Sequence, residues 1–355
     1  MLAGAALTAL VPGTAWAGQT WTAPTVLALP PPTGPYRVGT TAAHLVDTTR
    51  RDPLAPDDRP RELMVRLWYP TSTTPRRPDA TYLSPALSGL LVEQINAAAG
   101  SSLPPDLLTF PTHGRVGAPV APGAHPLVLF SPALGTNVAF YTALLEDLAS
   151  HGYLVAAIDH TFDVVVEFPD GRIELPAADV PFDVLLRVRT DDMRFTLDRV
   201  SRRFAVGAVS AVGHSMGTMT AIEAIAADRR IHAGVALDGN PLGSAALDRP
   251  FLMMGNPTHR RTEDADWAAF YDRLRGPRLH LVVDGMRHYA LSDFTLFKST
   301  IDLGSVVELG TIDGLRAETI TRAYVRAWLD RYLRGRPSPL LVREPGRFPE
   351  VDFQP

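Results

Sequence analysis

Residues 205–227 read AVGAVSAVGHSMGTMTAIEAIAA. The first eight residues form a short, almost wholly apolar run, the pattern of a strand buried on both faces. The last dozen are rich in Ala with Ile at helical spacing. Between them stands Gly213-His214-Ser215-Met216-Gly217, a G-x-S-x-G sequence at a strand-to-helix turn. A turn this sharp forces the serine backbone into a strained conformation and lifts its hydroxyl above the sheet. It leaves no room for a Cβ at either flanking glycine, and it sets the serine at the positive end of a helix. Ser215 is therefore the candidate nucleophile.

The same alternation extends outward from this stretch. Strands are expected at 126–131, 153–159, 205–212, 232–237, 250–254 and 279–283, and helices at 138–151, 181–203, 216–227, 265–275 and 318–334. Apolar strands each followed by a helix make an α/β protein, with a mostly parallel central sheet and helices on both faces. Upstream, RELMVRLWY at 61–69 alternates as a half-buried strand, while 18–60, 70–80 and 100–126 read as turns and loops. SPALSGLLVEQINAAA at 84–99 fits an amphipathic helix capped by Ser84, either a lid or lipid-facing wall or a helix packed on the sheet edge. Residues 18–355 are expected to form one domain.

Composition narrows the chemistry. The 355 residues are 46% hydrophobic and 20% charged, enough for a large core. Lys and Arg number 34 against 38 Asp and Glu, a net charge of -4, so nothing points to nucleic acid. The absence of cysteine excludes a disulfide scaffold, a thiolate zinc site and a cysteine nucleophile. Asp159, His160 and Asp163 do not come with a second ligand set, so neither a metal nor a cofactor is expected. The uncharged MLAGAALTALVPGTAWA at 1–17 looks like the apolar region and cleavage site of a signal peptide, which implies a secreted protein. A monomer is expected.

A serine hydroxyl needs a base. His288, in DGMRHYALSDF after the strand at 279–283, comes late enough in the chain to reach the nucleophile. The third member must orient that imidazole. Asp238 ends the strand after the nucleophile helix and so shares its C-terminal rim with Ser215; Asp264 and Asp266, beyond the next strand, and Asp284 are the rivals. Two amides should bind the developing oxyanion. One is that of Met216. The other lies in Ser131-Pro132-Ala133-Leu134-Gly135, where Pro132 has no N–H, Leu134 is favoured and Ala133 comes next. His160, at a strand end, and Phe162, just beyond it, are candidates to line the substrate cleft; His214, inside the turn, completes that group.

An ordered set of segments extends beyond the turn: GPYRVG at 34–39, RRDP, RELMVRLWYP, FSPALG, LEDLASHGYLVAAIDH, VGHSMG, VALDGN and GMRHYALSDFT. In this set the chain resembles the plasma-type (group VII) platelet-activating factor acetylhydrolases, which are α/β-hydrolases. The resemblance implies Ser215 as nucleophile, Asp238 as acid, His288 as base, and the Leu134 and Met216 amides as the oxyanion site. It further implies a small-molecule or lipid ester substrate, with the sn-2 acetyl group of a phospholipid as the analogy, and transient contact with a lipid surface. The family often has His-Gly where this chain has Pro132-Ala133. GHSMG is also similar to the turn of cutinase-like polyester hydrolases, which makes polyester hydrolysis the alternative activity. A non-catalytic lipid-binding module is the alternative of another class.

Overall fold

The structure is a computed structural model that describes residues 27–72, 77–241, 246–301, 303, 307–342 and 346–355. The expected signal segment at 1–17 lies outside them. In chain order the elements are β1 (Arg37–Arg51), β2 (Pro60–Thr71), β3 (Asp79–Thr81), α1 (Pro85–Ala99), β4 (Pro111–Val116), β5 (His125–Ser131), α2 (Thr142–Ser150), β6 (Leu154–Asp159), β7 (Val166–Glu167), β8 (Ile173–Glu174), α3 (Phe182–Arg203), β9 (Val206–His214), α4 (Met216–Ala227), β10 (Ile231–Leu237), β11 (Phe251–Gly255), α5 (Ala265–Arg273), β12 (Arg278–Val283), α6 (Phe294–Phe297), α7 (Gly314–Arg334) and β13 (Val351–Phe353).

Eleven strands form one sheet in the order β13-β12-β11-β10-β9-β5-β6-β2-β1-β4-β3. From β6 to β12 every pairing is parallel. β2 joins β6 antiparallel, and β13 closes the other side antiparallel to β12. This is the α/β-hydrolase arrangement. Alternate side chains of the parallel strands feed two cores. Val128, Phe130, Val212, Val235 and Leu252 meet Leu144 and Leu148 of α2 and Val325 and Trp328 of α7. Leu127, Leu129, Ala211, Ala236 and Met253 meet Leu197 of α3, Ile222 of α4 and Phe270 of α5. Each fully buried Leu or Phe contributes about 1.5–3 kcal/mol, so the sheet is held from both faces.

The segments read as turns and loops contain three further strands, β1, β3 and β4. β1, the largest correction, lies inside 18–60 and pairs with β2 along most of its length. Its Thr, Ala and Arg residues lack an apolar period because one face stays open to solvent, so the pattern does not declare a strand. β3 and β4 are short and pair at the far edge. α1 begins as expected, with the Ser84 hydroxyl accepting from the Leu87 amide and Pro85 in the first turn. Leu91 and Val92 pack onto the core beside Leu107 and Phe110. α7 starts at Gly314, earlier than the expected 318, because Asp313 caps it by accepting from the Arg316 amide.

Candidate active site

Ser215 lies between β9 and α4 with φ 54 and ψ -119, a strained backbone that a non-glycine residue keeps only when its surroundings enforce it. The surroundings here are close backbone contacts. A Cβ on Gly213 would fall onto the Gly217 carbonyl, and one on Gly217 would fall onto the Ser131 carbonyl of β5. The Ser215 amide donates to the Leu237 carbonyl at 3.0 Å.

Asp238 arrives beside it by register. Leu237 of β10 pairs with His214 of β9, so the next residue on each strand leaves the sheet at the same level. Gly239 lets the β10 exit pass against the Ser215 carbonyl, where a Cβ would collide. Asp238 is itself at φ 46 and is 2% exposed. Its Oδ2 is 2.7 Å from His288 Nδ1. Its Oδ1 accepts from the Asn256 amide at 2.6 Å, and the Asn256 Nδ2 amino group lies 2.9 Å from both carboxylate oxygens. Burial works against the charge on Asp238. The hydrogen bond from His288, the positive charge of His259, that of His288 and the Asn256 amide together hold its pKa below the ordinary carboxylate value. Because the carboxylate only accepts, His288 donates from Nδ1 and its Nε2 is left as the basic nitrogen. Ser215 and His288 are both partly open to solvent.

A buried chain joins this pair to the loop after β5. The Ala133 amide donates to the Tyr141 hydroxyl at 3.1 Å, and that hydroxyl lies 2.7 Å from His214 Nδ1. His214 Nε2 is 2.9 Å from the His288 carbonyl. A carbonyl accepts, so His214 carries its proton on Nε2, and its Nδ1 accepts a hydrogen bond from the Tyr141 hydroxyl. Burial, then the nearby charge of His288, pushes its pKa down to about 3, so the ring stays neutral. His214 is thus a buried prop for His288, and it does not line the cleft as expected. The same chain occupies the Ala133 amide, while the Leu134 amide makes no hydrogen bond among the described residues. Met216 opens α4, where the first amides have no intrahelical acceptor.

His160 departs from expectation in the same way. It is fully buried, with Nδ1 3.0 Å from Asp192 Oδ2 and Nε2 3.0 Å from the Ser131 hydroxyl. Burial, then the charge of Arg189, pushes its pKa down to about 4. Arg189 Nη1 donates to Asp163 at 2.5 Å and Nη2 to the Ser131 hydroxyl at 3.0 Å, and Nη2 also binds the Pro132 carbonyl. These groups tie down the loop that follows β5. Phe162, at φ 66, packs with Leu54, Leu185, Met216 and Met219, and Leu134 lies against the same cluster. Of the rival acids, Asp264 caps α5 and binds His259, and Asp266 lies in the first turn of α5. Asn256 and His259 escaped the sequence reading. The GNPTH segment following β11 offered no carboxylate, and only the fold shows that it offers donors to one. Among the described residues no three His, Cys, Asp or Glu side chains gather as a metal site.

The solved structures include a ferulic acid esterase from Streptomyces cinnamoneus that is 37% identical to this chain. It matches with a TM-score of 0.81 over 92% of this chain and 98% of that one. A probable 1-alkyl-2-acetylglycerophosphocholine esterase of Arthroderma benhamiae is 29% identical over 93% of this chain and 94% of its own length. The platelet-activating factor acetylhydrolase of Cavia porcellus is 25% identical over 59% of this chain, which spans 58% of that protein. Fold and relatives together define the class, a serine-type hydrolase of carboxylic esters on the α/β-hydrolase fold. Within that class, residues 22–164 and 185–335 match the family described as platelet-activating factor acetylhydrolase, isoform II, and the chain belongs to it.

Proposed function

We propose that Ser215, His288 and Asp238 form the catalytic triad of an esterase for short-chain carboxylic esters. The observation that carries this reading is the 2.7 Å bond between His288 Nδ1 and a buried Asp238, which leaves β10 level with the point where Ser215 leaves β9. His288 Nε2 takes the proton from Ser215 Oγ, which attacks the ester carbonyl carbon. The Leu134 and Met216 amides bind the oxyanion, each donor being worth roughly 3–4 kcal/mol of barrier. Collapse expels the alkoxide, which takes the proton from His288 and leaves an acyl-enzyme. Water, deprotonated by His288, attacks that ester and frees Ser215 and the acid. Phe162, Leu54 and Leu134 are the apolar wall for the acyl group.

The preferred substrate is an acetyl or other short acyl ester, with the sn-2 acetyl group of a glycerophosphocholine following the names of the fungal and mammalian relatives. A second reading, an ester of ferulic acid, is favoured by the Streptomyces neighbour, which has the higher identity. One panel separates them: p-nitrophenyl esters of rising chain length, an sn-2 acetyl phospholipid, methyl ferulate and a polyester film. The short-chain reading expects kcat/KM to fall as the chain lengthens. Preference for methyl ferulate would replace it, and film hydrolysis would support the polyester alternative. Ser215→Ala should lower kcat by roughly 10⁶ on every substrate. We also infer export, on the uncharged apolar stretch at 1–17. N-terminal sequencing of protein recovered from culture medium tests this, expecting cleavage after Ala17.

A further inference from the structure

On the side of Asp238 away from His288 stands a second imidazole. His259 lies in the short 3₁₀ turn Pro257–His259 beyond β11. Its Nδ1 is 2.7 Å from Asp264 Oδ2 and its Nε2 is 3.6 Å from Asp238 Oδ1. The ring stacks on Trp267 with centroids 4.2 Å apart and planes 14° from parallel, and Trp267 is fully buried. Asp264 is fixed in turn, since its Oδ1 accepts the Asp266 and Trp267 amides at 3.0 Å each. Gly255 makes the close packing possible: a Cβ there would stand 3.1 Å from Asp238 Oδ1, 3.1 Å from His259 Cδ2 and 2.8 Å from the Trp267 ring.

A neutral imidazole has one N–H and one lone pair. With carboxylates facing both nitrogens, either neutral tautomer turns a lone pair on a carboxylate. Only the imidazolium presents N–H to both. Other charged and titratable groups lie around it. His280 of β12 lies across Trp267, its ring centroid 5.1 Å from the indole. Arg260 pairs with Asp284 and lies 3.9 Å from Asp352 of β13, and Arg261 pairs with Asp272. His288 is on the far side of Asp238.

We propose that His259 is a positioning residue for the triad, an imidazolium clamped between Asp264 and Asp238 that steadies the Asp238 carboxylate and tempers its pull on the His288 proton. The inference rests on the triad reading above. Two consequences follow from the electrostatics. A cation beside Asp238 offsets part of the field that stabilises protonated His288, so the neutral, base-competent form persists to lower pH. It also restricts rocking of the carboxylate, which acts on the chemical step more than on substrate binding.

The test uses the full chain and p-nitrophenyl acetate, with kcat and kcat/KM measured from acid to mildly alkaline pH. His259→Phe keeps a ring on Trp267 and removes both nitrogens, and His259→Gln is the second variant should the first not fold. The acid limb of kcat/KM is expected to move up by on the order of half a pH unit. kcat should fall roughly fivefold, with KM within about twofold of wild type. Asp264→Asn should move the limb in the same direction by less. A limb that stays in place in folded His259 variants, or moves down, overturns the proposal. Full activity in Ser215→Ala would instead remove the triad reading beneath it.

Discussion

Asn256→Ala removes the side chain that holds Asp238 from behind while leaving the Asn256 backbone amide, at 2.6 Å from Oδ1, in place. The lost amino group spans both carboxylate oxygens at 2.9 Å. A hydrogen bond to a buried charge contributes about 1.5–3 kcal/mol. The Asn256 side-chain Oδ1 also accepts from the Thr258 amide and hydroxyl at 2.9 and 2.8 Å, but Thr258 is exposed and water replaces that acceptor. A loss of about 2 kcal/mol at pH 7 is therefore expected. Its pH dependence follows from the sign of the shift. Asp238 has a folded pKa below the ordinary carboxylate value. Such a group stabilises the fold above its unfolded pKa, and that stability is lost as pH falls through the folded pKa. Asn256→Ala raises the folded pKa. The difference between variant and wild type should thus be full at neutral pH and shrink by more than about half below the ordinary carboxylate range, at a linkage of about 1.4 kcal/mol per unit. Urea unfolding of both proteins, followed by tryptophan fluorescence across a pH series, measures it. A difference that is constant with pH, or absent at pH 7, would refute the role given to Asn256. kcat for p-nitrophenyl acetate should fall about tenfold in the same variant.

Two further substitutions probe the backbone and the support beneath it. Gly217→Ala places a methyl group against the Ser131 and Pro132 carbonyls, so it should cost about 1–3 kcal/mol by overpacking and lower kcat at least about 100-fold as the turn or the oxyanion loop moves; wild-type kcat would contradict the packing. Arg189→Met leaves Asp163 buried without its cation and frees the Pro132 carbonyl. A loss of about 3–5 kcal/mol in urea unfolding is expected, with kcat down about 10-fold or more and little change in KM; an unchanged kcat in folded variant would separate that cluster from the oxyanion loop.

The parallel half of the sheet was legible because its strands are buried on both faces and separated by helices, so hydrophobic period and Gly-x-Ser-x-Gly spacing agree at every level. β1 was not legible, since Thr40 to Thr49 alternate exposure without alternating hydrophobicity. The placement of Ser215, Asp238 and His288 on one rim was legible because each follows a strand of the parallel sheet, where position along the chain fixes position in space. His160 and His214 were misplaced for the converse reason. Each lies near a strand end too, but burial depends on what packs above the rim, here Asp192 and Tyr141 from distant segments. Asn256 and His259 act through a neighbouring strand's carboxylate, a relation that exists only after β10 and β11 have paired.

The most direct measurement is covalent labelling with a fluorophosphonate, followed by peptide mass spectrometry. The triad account predicts a single stoichiometric adduct on Ser215, loss of esterase activity in step with labelling, and much slower labelling in His288→Ala. Persistent activity without a Ser215 adduct, or an equal labelling rate in His288→Ala, would contradict it.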